Sequence, residues 1–303
     1  MGAVSVNHMC AADTDCAPPS TWRGGGRGST TKRRVHMNTD VARRMNNLNA
    51  EFYRAQASSF CQTRQAPWPG WGRVVSLAGI AVTATPSTLS VLDVACGNLR
   101  FGTYLASRMA SSPVPARVAY CAVDSCPSLV RRCAPPLPWK VDFTQIDLVE
   151  RLLNGVPLAF PAPASAPADL TVCFGFMHHV PTWAARVALL RALLGATRPG
   201  GTCAVSLWQF MNSPRLARRA RETTVEALGS LDLAPSDLDA DDYLVGWQGL
   251  PDVWRYCHSF DADGITALVD AVSDLSTVRE RFSSDGRTGN LNTYLVFRRH
   301  AAC

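Results

Sequence analysis

The chain has 303 residues, 47% of them hydrophobic and 18% charged, enough to bury one large core. No apolar run approaches the roughly 18 residues of a membrane helix, and the opening MGAVSVNHMCAADTDC is broken by polar residues too early for a secretory signal. A soluble, cytoplasmic protein is expected. The formal net charge of +6 is almost all arginine, Lys32 and Lys140 being the only lysines, which permits an anionic partner without requiring one.

Residues 1–36 are rich in Gly, Ser, Pro and Arg and have almost nothing to bury, which predicts a disordered basic tail. From 37 to 303 a single α/β domain is expected. Its N-terminal cap, 38–84, is helical: Met45, Leu48, Phe52 and Phe60 recur at near-helical intervals until PWPGW interrupts them, and a second helix runs on to Pro86.

Strands and helices then alternate, with near-continuous apolar strands predicted at 90–94, 119–123, 141–146, 169–174 and 202–208. That pattern argues for a parallel sheet covered on both faces. The last two strands, TVRERFSS and NTYLVFRR, flank the turn-rich DGRTGN and predict a closing antiparallel hairpin. Of the eleven cysteines, Cys96, Cys121, Cys173 and Cys203 sit in apolar runs and read as buried thiols. The six histidines are not spaced with cysteines like a zinc site, so no metal is expected.

The chemistry lies at the strand ends, where ligands of open parallel sheets bind. The first strand ends VLDVACGNLRFG. Asp93 there needs a partner to be buried, and Gly97 with Asn98 suits the tight turn that follows. Asp124 ends the second strand, Asp147 and Leu148 follow the third, and Phe174 closes the fourth. One carboxylate suits the two hydroxyls of a ribose and the next an adenine amino group, so the set reads as an adenosine site. The pattern G-x-G-x-x-G is absent, with Ala95 and Leu99 in glycine-like positions, which argues against a dinucleotide.

The layout resembles the class I S-adenosylmethionine-dependent methyltransferases, in the D-x-x-x-G turn, in LLRALLGATRPGGTCAVSLW and in the final hairpin. The resemblance implies a seven-stranded Rossmann-like sheet and S-adenosyl-L-methionine as cofactor, its amino-acid end held beside Asp93 and Gly97. A finer resemblance, over about 46–299, is to the tRNA methyltransferases that esterify carboxymethyluridine at the wobble position. It rests on Phe52 and Tyr53, Thr63 and Arg64, Pro67 to Pro69, His178 and His179, Arg255 to Phe260, and Asn292 to Tyr294.

That resemblance and the needs of a carboxylate acceptor together suggest roles for individual residues. Arg64, with Tyr53 beside it, is the candidate for the cofactor's carboxylate. Arg255, His258 and Asn292 are candidates for clamping an acceptor carboxylate, Arg255 and His258 in the catalytic role with His179; Arg255 also reads as half of a structural ion pair, and His258 as core packing beside Tyr256 and Phe260. His178 and Tyr256 are candidates for lining the acceptor side. A carboxylate is already a nucleophile at neutral pH and needs no general base. Trp68 and Trp71 read either as a lid or as a buried brace. Residues 209–260 are expected as a substrate-side insertion, in which Arg218 and Arg219 are candidates for RNA phosphate contact or for an ordinary solvated helix face. The expected partners are tRNA or a small-molecule acceptor, carboxylate or hydroxyl, with a small activator protein as a further candidate and a monomer as the state.

Overall fold

The structure, a computed structural model, describes residues 37–79, 88–110, 117–163 and 166–301, less the side chains of 132 and 133. The basic tail expected at 1–36 and the expected end of the second helix near 84 lie outside the described residues. The elements in order are α1 (Thr39–Gln62), α2 (Gly70–Leu77), β1 (Thr88–Val94), α3 (Arg100–Ala110), β2 (Arg117–Asp124), α4 (Pro127–Cys133), β3 (Val141–Gln145), α5 (Leu148–Leu153), β4 (Ala168–Cys173), α6 (Trp183–Ala196), β5 (Thr197–Trp208), α7 (Pro214–Ser230), β6 (Asp242–Gly246), β7 (Trp254–His258), α8 (Ala262–Asp270), β8 (Ser276–Ser284) and β9 (Asn292–Arg299).

The strand order is β3-β2-β1-β4-β5-β9-β8. The first five strands are parallel, and β9 runs antiparallel to both β5 and β8. The predicted parallel sheet and its closing hairpin are therefore present. The order reverses between β1 and β4, which opens a crevice at their carboxyl ends. One hydrophobic cluster, with Leu92, Val94 and the leucines of α6, fills one face of the sheet. Another, with Val91, Trp71 and Phe101, fills the opposite face, as the two-residue period of a strand requires.

The N-terminal cap is bound to the crevice by polar groups. The Asn38 side chain accepts from the Val41 N–H and starts α1. Val41, Met45 and Phe52 form its buried stripe, and Asn46 and Asn49 are buried with them. Asn49 meets the main chain of Tyr256 in β7, accepting from its N–H at 2.9 Å and donating to its carbonyl at 3.2 Å. Asn46 donates to the Asp147 carboxylate at the start of α5. After the Pro67–Pro69 interruption, α2 packs so closely on β9 that a Cβ at Gly70 would lie 2.3 Å from the Tyr294 ring.

Residues 209–260 fold as α7 and a separate two-stranded antiparallel sheet, β6 with β7, in which Asp242 pairs with His258 and Val245 with Arg255. The Thr223 and Thr224 hydroxyls of α7 bond to the Leu244 main chain. This small sheet was not among the predicted strands, and it decides where the Arg-Tyr-x-His-x-Phe side chains point.

Candidate active site

A cavity of about 450 Å3 lies at the carboxyl ends of the parallel strands, beneath α1 and the segment leading into α2. Thirteen of the predicted site residues line it: Tyr53, Arg64, Asp93, Gly97, Asn98, Asp124, Asp147, Leu148, Phe174, His178, His179, Arg255 and Asn292. Four do not: Tyr256, His258, Arg218 and Arg219.

At the strand ends, the β1–α3 turn carries Ala95, Gly97 and Leu99 at φ 57°, 55° and 57°. The three glycine-like positions are thus all left-handed, although only one holds a glycine, and the other two bear the Cβ cost of that region. A Cβ at Gly97 would meet no atom within 4 Å, so the main chain there is open to a ligand. Asp124 fixes the turn: Oδ2 accepts from the Gly97 N–H and Oδ1 from the Cys126 N–H, each at 2.8 Å. Burial raises its pKa and these backbone donors oppose the rise. Acceptor capacity on its oxygens is left for a ligand.

Asp93 finds its partner in Tyr120, whose hydroxyl donates to Oδ2 at 2.7 Å. Burial still pushes the Asp93 carboxyl up to about 7, against that hydrogen bond and with the help of nearby Asp124. Asp147 caps α5, accepting from the Glu150 N–H at 2.9 Å. Phe174 belongs to an aromatic group: it stacks on Trp71 at 5.9 Å and meets Phe101 and Tyr294 edgewise or tilted. Both tryptophans line the cavity: Trp71 is buried, a brace, and half-buried Trp68 lies against Gly175. Arg100 packs over both tryptophans.

Asn292 donates to Asp285 Oδ2 at 2.8 Å, Tyr294 donates to the same oxygen at 2.6 Å, and Asp285 Oδ1 accepts from the Gly70 N–H at 3.1 Å. Asn292 therefore helps tie the cap segment to the β8–β9 turn.

At the α1–β7 end, His179 Nδ1 donates to the Tyr256 carbonyl at 2.8 Å, which fixes the tautomer, so Nε2 accepts from the Tyr53 hydroxyl at 2.8 Å. Burial, with Arg255 nearby, pushes His179 down to about 3, and burial also holds His178 well below its ordinary value. Both imidazoles are neutral. Burial raises the Tyr53 phenol, with the adjacent Arg255 guanidinium opposing it. Arg64 packs against Phe60, and burial and Arg255 lower its pKa.

Arg255 is 5% exposed. It sits in a corner formed by Phe52 and Trp247, 4.9 Å from each ring centre, the rings themselves being edge-to-face at 5.3 Å. No carboxylate among the described residues pairs with it, and its Nε has no hydrogen-bond partner.

The strand geometry of β7 corrects the placement of its neighbours. Side chains alternate along a strand, so Arg255 points into the cavity beside Phe52 of α1, while Tyr256, on the other face, packs with Val41, Ala42 and Met45 of α1 and His258 points away from the cavity. His258 Nδ1 lies 2.7 Å from Asp242 Oδ1, which also accepts from Arg186 Nη2 at 3.2 Å, and Arg186 donates to the Tyr256 hydroxyl at 2.8 Å. This buried network holds β6, β7 and α6 together. Arg218 is exposed on α7 and pairs with Glu222 at 3.8 Å, and Arg219 is half-buried on the same helix.

Donor atoms of His178, His179 and Cys257 lie within 4.8 Å of one another. Their chemistry does not suit a cation: both His179 nitrogens are engaged, burial pushes the Cys257 thiol up to about 12, and the Arg255 charge is adjacent. Asn46, Asn49 and Trp208 line the cavity without having been singled out. Two asparagines within the apolar stripe of α1 were the available signal.

No family model matches the sequence, and no curated protein matches it. Among solved structures the chain is similar to the N-methyltransferase NodS from Bradyrhizobium japonicum WM9 in complex with S-adenosyl-L-homocysteine, at 12% identity, covering 84% of this chain and 98% of that one with a TM-score of 0.50. It is also similar to a SAM-dependent methyltransferase from Methanosarcina mazei, at 14% identity, 71% and 93% coverage and a TM-score of 0.49. With the strand order above, the chain has the Rossmann-like fold of the class I S-adenosylmethionine-dependent methyltransferases.

Proposed function

We propose that the chain is an S-adenosylmethionine-dependent methyltransferase that esterifies a carboxylate on its acceptor. The strand-end half of the cavity fits the cofactor: open main chain at Gly97, spare acceptor capacity on Asp124, and Asp93 as a buried carboxyl suited to an ammonium group. When bound, the cofactor supplies a methyl group on a sulfonium, an electrophile.

The observation that carries the acceptor reading is Arg255. A guanidinium almost wholly buried, held by ring faces and lacking any carboxylate among the described residues, is costly without a visiting anion. An acceptor carboxylate supplies that anion. Its pKa of about 4 leaves it ionised, so alignment and loss of water do the remaining work. One oxygen held by Arg255 leaves the other to attack. His179, neutral and with both nitrogens engaged, holds Tyr53 in place and takes no proton in this scheme.

The resemblance in the sequence points to carboxymethyluridine of tRNA as the source of the carboxylate; the basic face of α7, with Arg218 and Arg219, would then meet phosphates. A small-molecule acid is the alternative source, and an activator protein remains part of the tRNA reading. Purified protein with radiolabelled S-adenosylmethionine, offered total tRNA beside a small-molecule extract, tests both. Label released by mild alkali marks an ester, and alkali-stable label in every fraction would sink the reading. Arg255→Met is expected to raise the KM for the acid about 10- to 100-fold, the scale of a lost charged hydrogen bond, with cofactor affinity unchanged by calorimetry.

A further inference from the structure

Around Arg255 the cavity offers two kinds of surface. Two of the polar side chains there, His178 and Arg255, have donors to spare. His178 Nδ1 is buried with no partner, and an unpartnered buried N–H is the costlier choice for a neutral imidazole. The proton therefore sits on Nε2, which makes no hydrogen bond to any described residue, and His178 lines the cavity. His178 and Arg255 are both poised to give hydrogen bonds.

The other surface is aromatic. Half-buried Trp208 lies 5.0 Å from the His178 ring, and half-buried Phe60 lies 6.1 Å from Trp247 at a tilt of 32°. Both rings line the cavity. An aliphatic body gains only burial against such walls, whereas a flat ring also gains offset or edgewise ring contact.

We infer that the acceptor is a flat aromatic or heteroaromatic acid, its carboxylate on Arg255, an oxygen accepting from His178 Nε2, and its ring against Trp208. The inference rests on the carboxylate reading above and adds the class of acid. A carboxymethylated base in tRNA and a free aryl acid share this chemistry. The step balances as an ester-forming displacement: a carboxylate oxygen forms a bond to the methyl carbon, the C–S bond breaks, and its electron pair stays on sulfur, cancelling the carboxylate and sulfonium charges.

The test uses the full chain and radiolabelled S-adenosylmethionine with benzoic, nicotinic and indole-3-acetic acids, with hexanoic and octanoic acids, and with total tRNA digested to nucleosides after labelling. Alkali-labile label on the ring acids, or on a modified nucleoside from tRNA, supports the inference and tells the two sources apart. Trp208→Leu should then raise the KM for the ring acceptor about tenfold while leaving the affinity for S-adenosylhomocysteine in place. Equal turnover of the aliphatic acids, or a Trp208→Leu effect equal on both kinds of acid, overturns the inference and leaves carboxylate methylation standing. Cofactor binding by calorimetry with neither an acid of either kind nor tRNA labelled overturns the carboxylate reading, and the inference with it.

Discussion

The Tyr120 hydroxyl of β2 donates across 2.7 Å to Oδ2 of Asp93 on the neighbouring strand β1. One hydrogen bond does not offset full burial, so the Asp93 carboxyl is pushed up to about 7. Its folded pKa lies above the ordinary carboxylate value of about 4, so the folded state binds the extra proton between the two. From this group the cofactor-free protein loses stability as pH rises from about 4 through 7.

A cationic ammonium group beside Asp93 favours the ionised form, so affinity for S-adenosylhomocysteine should increase between pH 6 and pH 8. Calorimetry across that range checks it. Asp93→Asn should weaken binding and flatten the profile, and an unchanged slope in that variant would remove Asp93 from the cofactor site.

His179 works in the opposite direction. Its folded pKa, pushed down to about 3, lies below the ordinary histidine value of about 6.5. The stability it contributes is present above pH 6.5 and is lost as pH falls toward 3. Chemical denaturation of the wild type and of His179→Gln between pH 4 and pH 7 should show a shallower acid loss in the variant, which retains an amide to meet Tyr53 and the Tyr256 carbonyl.

The turn after β1 stores backbone strain at Ala95, φ 57°. Relief of left-handed strain and the added freedom of glycine in the unfolded chain nearly offset each other, so Ala95→Gly should stabilise by about 0.5 kcal/mol. Gly97→Ala meets no neighbouring atom; it should cost about 1 kcal/mol of stability and weaken cofactor binding more, because its methyl enters the open face. Thermal unfolding with and without S-adenosylhomocysteine separates the two effects.

Gly70 lies against the Tyr294 ring with no room for a side chain. Gly70→Ala should destabilise by about 1–3 kcal/mol through overpacking and, by moving the segment that carries Trp68, lower cofactor affinity as well. Denaturation midpoints and calorimetry on the same preparation provide the check.

The strand-end acids show what can be read from a linear chain. Asp93 and Asp124 lie at the ends of β1 and β2 and Asp147 just after β3, and parallel strands put successive ends on one edge, so local pattern alone predicted a common site. Arg255 and His258 show the limit. They look like one cluster in RYCHSF, but three residues along a strand means opposite faces, and β7 was not recognisable from its sequence. The partner that makes it a strand, β6, is brought in by α7 and α1.

The alternation of elements, the closing hairpin and the carboxylates at the strand ends are legible in the linear chain, because they depend on periodicity and on residues near one another in it. That Tyr120 meets Asp93, that Asn49 binds the main chain of Tyr256, and that Arg255 is buried among rings with no carboxylate among the described residues followed from the folded arrangement alone. Those are contacts between elements far apart in the chain, and their energy exists only once the sheet has brought the elements together.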